Sequence, residues 1–170
     1  MTRREVGAPP RNAALGSPSW CAARRVYPGR VTEISDGLRR IFLAAPFIAD
    51  LGIRLDSVEA GRCTTSLEIA PRHLQQDGFV HAGVQATMAD HTAGAAAATQ
   101  AAAGQIVLTV EFKINLLRPA EGERLVCRAR VLKPGSRFSI VESEVFGVVA
   151  GQERLVSKTT ATIAMVEAPR

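Results

Sequence analysis

The chain has 170 residues, of which 46% are hydrophobic and 22% charged, and a net charge of +5. That length and balance fit one globular domain with a short extension, and exclude a disordered chain, a collagen-like fibre and a charge-dominated coiled coil. The three cysteines, Cys21, Cys63 and Cys127, form no C-x-x-C pair and are odd in number. They argue against a disulfide scaffold or a structural zinc site and for a reducing, cytoplasmic setting.

The charge is unevenly placed. Residues 1–30 carry six arginines (Arg3, Arg4, Arg11, Arg24, Arg25, Arg30) against Glu5, whereas the other 140 residues balance at 15 basic and 15 acidic. The body therefore lacks the basic cluster that nucleic-acid binding requires. Residues 1–30, rich in Pro, Gly and Arg, read as a mobile basic tail, with a mis-assigned start or a transit peptide as alternatives. Residues 31–170 read as the folded domain. No apolar run follows Arg3-Arg4, so a secretory signal is poorly supported. The longest low-charge stretch, 78–110, contains Asp90, two histidines and three glutamines, too polar to span a membrane.

In chain order, Ser35 is a plausible N-cap, and Leu38, Ile41, Phe42 and Ala45 recur at helical spacing before Pro46. From Leu51 the pattern alternates. Residues 52–58 and 63–69 read as a hairpin about Gly61, and Arg72 to Val80 as a polar loop. Ala82 to Ala103 holds eleven alanines and no proline, which predicts a long helix stopped by Gly104. With Asp90 as the only formal charge between Asp77 and Glu111, this helix is expected to be buried on most sides. Strands follow at 106–117, 124–132, 138–149 and 155–166, separated by turns. One antiparallel sheet of five to six strands wrapped around the long helix, an α+β domain, satisfies this order. The sheet covers one side of the helix, and a second copy of the chain is the economical cover for the other.

Chemistry concentrates where the long helix begins. His81-Ala82-Gly83 occupies its first turn, where amide N–H groups lack intrahelical partners and the dipole adds positive charge. Free amides at Ala82 and Gly83 would suit an oxyanion, and glycine at 83 would let a substrate approach closely. Asp90 lies two turns on, on the same face but ~10 Å away, too far to serve a carbonyl bound at its own helix start. Antiparallel packing of two such helices across a twofold axis would bring Asp90 of one chain to the other's helix start. A simple helix cap is an equal reading of His81. His91 points about 100° from Asp90 and reads as structural or supporting, and His73 as a loop residue. The spacing of His81, Asp90 and His91 does not match a helical metal-ligand pair, so no metal is expected. The sequence has no G-x-S-x-G elbow and no Gly-rich phosphate loop.

Phe79-Val80-His81-Ala82-Gly83-Val84, Met88-Ala89-Asp90, Leu108-Thr109-Val110-Glu111-Phe112 and Asn115-Leu116-Leu117-Arg118-Pro119-Ala120 together resemble the hotdog-fold acyl-CoA thioesterases of the phenylacetate-pathway PaaI type. The likeness spans about residues 35–166. It implies that the Ala82 amide polarises the thioester carbonyl and that Asp90 activates water or attacks directly. It places a site-orienting amide side chain at Gln75, where the family usually has asparagine, and a hydroxyl near the carboxylate at Thr109. The family's His-Gly-Gly is here His81-Ala82-Gly83. No cofactor is implied. The acyl chain would lie along the helix–sheet seam near Leu108 and Phe112, with Arg118, Lys133 and Arg137 as cations for the CoA phosphates. The expected assembly is a homodimer, with pairing into a tetramer. Two other readings compete: a hotdog (de)hydratase using His81 with Asp90, and a non-catalytic acyl-CoA-binding module.

Overall fold

A computed structural model describes residues 40, 42 and 44–169. Residues 1–30, including Cys21, lie outside the described residues, as does most of the helix expected at 35–45. Arg40 and Phe42 are helical. Pro46 opens a further short helix, α1 (Pro46–Leu51), where a strand was expected to begin soon after. Proline suits a first helical position because its missing N–H has no partner there anyway. Gly52, at φ 80°, ends the helix by returning its N–H to the Ile48 and Ala49 carbonyls.

The remaining elements are β1 (Arg54–Glu59), β2 (Arg62–Glu68), the long helix α2 (Ala82–Ala98), β3 (Gln105–Leu116), β4 (Arg124–Lys133), β5 (Phe138–Val149) and β6 (Gln152–Glu167). They form one six-stranded antiparallel sheet of order β1-β2-β4-β5-β6-β3. β3 is thus an edge strand, although it follows α2 in the chain. The expected fold class, an antiparallel sheet around one central helix, is the observed one.

α2 packs Met88, Ala89, Thr92, Ala93, Ala96 and Ala97 against Leu67, Leu125, Cys127, Val141, Val145 and Ile163 of the sheet. The alanines let the backbone come close enough for side chains of the sheet to reach it. Ser143 Oγ donates to the Ala89 carbonyl at 2.9 Å, and the Thr65 and Thr92 hydroxyls meet at 2.8 Å. The helix ends at Ala98, five residues before Ala103, its expected last residue. Thr99 Oγ1 donates back to the Ala96 carbonyl (2.7 Å) and accepts the Gly61 N–H (2.8 Å), which ties the chain to the β1–β2 turn and diverts it. Gly104, at φ 84°, then turns into β3 rather than ending the helix. Burial pushes the Cys63 and Cys127 thiols up to about 12, so neither is a reactive thiolate near neutral pH.

Candidate active site

The segment expected to be a plain polar loop is anchored by a buried histidine. His73 is 0% exposed. Its Nδ1 accepts the Ala70 N–H at 2.9 Å, and its Nε2 therefore donates to the Leu51 carbonyl, also at 2.9 Å. The His81 N–H then returns to the His73 carbonyl at 2.8 Å, and Val80 N–H bonds the Ala120 carbonyl at 2.8 Å. These bonds hold the start of α2 against the β3–β4 connection. Gln75 closes the intervening turn, accepting the Asp77 N–H on Oε1 at 2.7 Å while its backbone N–H bonds the Phe79 carbonyl.

His81 is the N-cap of α2, and its Nδ1 accepts the Gly83 N–H at 2.9 Å. This corrects the expectation of two free amides: the Gly83 donor is spent on the cap. A Cβ added to Gly83 would come 3.0 Å from His81 Nδ1, so the glycine makes room for the imidazole rather than for a substrate. Ala82 N–H, at the first helical position, finds no acceptor among the described residues. With Nδ1 committed as an acceptor, the His81 ring carries its proton on Nε2 and presents a donor, not a base.

Ala82 and His81 line a cleft of about 550 Å³ with Gln75, Phe79, Leu117 and Arg118. Arg118 also donates through Nη1 to the Leu155 carbonyl at 2.9 Å. Asp90 lines a different cavity of about 310 Å³, with Phe42, His91, Gly94, Val107 and Thr109. There Thr109 Oγ1 donates to Asp90 Oδ1 at 2.7 Å. The two cavities have no lining residue in common. Asp90 is eight residues from Ala82, ~12 Å along the helix. His91 packs against Phe42 in a tilted contact, with ring centroids 4.3 Å apart, and burial lowers its pKa.

The structure corrects one expected acyl contact. Leu108 and Phe112 share parity and should share a face of a regular strand. A bulge between Thr109 and Glu111 shifts the alternation. Phe112 pairs with the core residue Ala161 and faces the helix side, as does Thr109 opposite Ile163. Leu108 faces away, opposite Ala164, and is 54% exposed. Lys133 and Arg137 lie at the far end of the sheet from Arg118: the Arg137 carbonyl accepts from Met165, whereas Leu117 and Arg118 bond to Val156. Along β6 these ends are nine residues apart, roughly 30 Å. Within one chain the three cations do not converge. Sequence reasoning missed Gln85, a buried amide one turn beyond Ala82 whose Nε2 donates to the Val80 carbonyl. A long polar side chain in an otherwise small-residue helix was the available signal.

Among the described residues no helix is long and apolar enough to cross a membrane. The thioesterase superfamily profile matches residues 77–148, the stretch that holds α2, Thr109 and Arg118. A thioesterase family protein from Silicibacter pomeroyi is 37% identical in sequence, with a TM-score of 0.76 over 77% of this chain and 96% of that one. The 1,4-dihydroxy-2-naphthoyl-CoA hydrolase of Listeria monocytogenes is 27% identical over 115 residues, 68% of this chain and 91% of that protein. A phenylacetic acid degradation-related protein of Ralstonia eutropha shares the fold at 23% identity and a TM-score of 0.65, over 75% of this chain and 98% of its own. The chain belongs to the thioesterase superfamily and is a thioester hydrolase of the hotdog fold.

Proposed function

We propose that the protein is an acyl- or aryl-CoA thioesterase of the PaaI type, working as a dimer whose two active sites each draw on both chains. The observation that carries this reading is the separation of donor and carboxylate. Ala82 N–H stands in one cleft with no partner among the described residues, and Asp90, oriented by Thr109, stands in another with no lining residue in common. A twofold axis relating two copies of α2 brings one chain's carboxylate to the other's helix start.

The surface around Asp90 suits such an axis. Ala86, Asp90, Gly94 and Ala98 form a half-buried stripe four residues apart on the side of α2 away from the sheet core. A Cβ at Gly94 would meet nothing within 4 Å, so a second helix can approach there. The adjoining edge strand β3 leaves Val110 59% exposed and Phe112 42% exposed. An unpaired apolar edge of this kind is a template for its own copy. In this arrangement the thioester carbonyl oxygen accepts Ala82 N–H, with His81 Nε2–H beside it. Asp90 of the partner takes a proton from the attacking water, or attacks the carbonyl itself, and the thiolate leaves. Gln75 shapes the cleft through its turn, and Arg118 is the cation placed to meet the CoA moiety. Lys133 and Arg137 join such a site only from the partner's side of the axis. The CoA reading is supported by the named activity of the Listeria relative.

Release of free thiol from a panel of aryl, short-chain and long-chain acyl-CoA substrates tests the assignment. Turnover is expected for at least one class. Asp90→Asn is expected to lower kcat by about two orders of magnitude or more while the dimer persists. Absence of thiol release across the panel, or full turnover by the variant, refutes it.

A further inference from the structure

Gln85 lies in the first two turns of α2 and is 3% exposed. A buried primary amide is costly unless both of its ends are bonded. Only one end is. Nε2 donates to the Val80 carbonyl at 3.3 Å, whereas Oε1 is buried with no hydrogen-bond partner among the described residues. The bond to Val80 fixes the orientation of the amide, because a carbonyl can only accept and the oxygen cannot take that place.

Gln85 is part of the wall of the cleft that holds Ala82 and His81. Side chains on a helix lean toward its N-terminus, and residues three apart share a face. The Gln85 amide therefore sits beside the first turn, as its bond to Val80 requires. One wall of the cleft then carries a donor, Ala82 N–H, and near it a buried acceptor, Gln85 Oε1. Phe79, Leu116, Leu117 and Pro119 make much of the remaining lining apolar. An acceptor in such surroundings selects an uncharged N–H or O–H donor and repels an anion.

This inference rests on the cleft being the thioester site. In a CoA thioester the first amide N–H of the thiol arm is only two methylenes beyond the sulfur, so it passes close to a group that neighbours the oxyanion donor. We propose that Gln85 Oε1 accepts this N–H, so that the enzyme reads an N-acylcysteamine leaving arm rather than any thioester. Gln85 is then a specificity determinant for the thiol half of the substrate, whatever the acyl group.

The test uses the acyl group that the CoA panel identifies as best, carried on N-acetylcysteamine and on the matched 2-acetoxyethanethiol, in which oxygen replaces the N–H. Wild type and Gln85→Met, a near-isosteric change, are compared by the ratio of kcat/KM for the two thioesters. That ratio is independent of the active fraction of each preparation. Wild type is expected to favour the amide about tenfold or more, mostly through KM, because the acceptor is left unpaired by the ester. In Gln85→Met the ratio is expected to fall to about one. An unchanged ratio in the variant, or no preference in wild type, overturns the proposal. The wild-type ratio decides this alone if the variant does not fold. Turnover of acyl-CoA without an amide preference sinks only this inference, whereas no turnover of any thioester sinks the functional reading on which it rests.

Discussion

Ala82→Pro removes the proposed oxyanion donor with little cost to the helix. Position 82 is the first of α2, where proline is tolerated, and the preceding His81 has φ −57° and ψ 140°, the extended conformation that a following proline demands. Because the Gly83 amide is spent on His81, Ala82 supplies the only free main-chain donor of the pair. Losing one such donor costs about 10²–10³ in kcat, and losing the carboxylate in Asp90→Asn about 10²–10⁴. Mixing the two inactive variants separates one-chain from two-chain geometry. In a heterodimer, one site receives the intact Ala82 of the Asp90→Asn chain and the intact Asp90 of the Ala82→Pro chain, while the other site is doubly defective. Random re-association at equal amounts makes about half of the dimers mixed, each with one working site of two, so about one quarter of wild-type activity returns. The assay is thiol release after co-refolding or co-expression, with each variant alone as baseline. Activity that stays at the mean of the two parents would refute the shared site.

Thr109→Val removes the 2.7 Å bond to Asp90 Oδ1. One hydrogen bond to a charged group, about 1.5 kcal/mol, predicts a roughly tenfold fall in kcat, with Thr109→Ser restoring most of it; equal defects in both variants would show that the hydroxyl does not orient the carboxylate. Gly83→Ala pushes on the His81 ring and weakens the cap, and should cost about 1 kcal/mol in a urea melt besides lowering kcat through misplacement of the Ala82 amide. Acid stability provides a separate check. Burial lowers the pKa of His73 and His91 below the ordinary 6.5. As pH falls through 6.5 the unfolded chain takes up protons before the folded chain does, so stability present above that value is progressively lost below it. The loss approaches at most about 1.4 kcal/mol per pH unit for each histidine. Urea midpoints that stay level from about pH 7 to 5 would contradict this.

The sheet and long helix were legible because their signals are local. β5 falls at the expected 138–149, and β3 and β4 within a residue of expectation, since each is a run of branched residues between turn residues. The misses came where a distant group overrode a local preference. Thr99 stops α2 early because its hydroxyl serves Gly61, 38 positions away, and alanine propensity cannot register that. Pro46 read as a terminator and proved to be a first helical residue, which one proline signals equally well. The bulge in β3 is invisible to alternation, so Leu108 was grouped with Phe112 when only Phe112 faces the helix side.

The site was legible in composition but not in wiring. A lone carboxylate in an alanine helix, and a helix start carrying His81-Ala82-Gly83, are visible as residue types in unusual settings. Which amide stays free is decided by a single rotamer. The His81 ring, turned to accept from Gly83, leaves Ala82 as the donor and directs its own proton outward on Nε2. That choice also explains a departure in the helix-start motif. Alanine in place of the first glycine of His-Gly-Gly is harmless where only the N–H is used, whereas the second glycine is needed for the imidazole to lie over it. The same logic accounts for Gln85. A glutamine in a small-residue helix looks like a solvated polar position until the fold buries it and leaves its oxygen without a partner among the described residues, near the donor. In the proposed mechanism, backbone and amide dipoles polarise the substrate. These must be pre-oriented by bonds already made, here by His73 to Leu51, His81 to Gly83 and Gln85 to Val80.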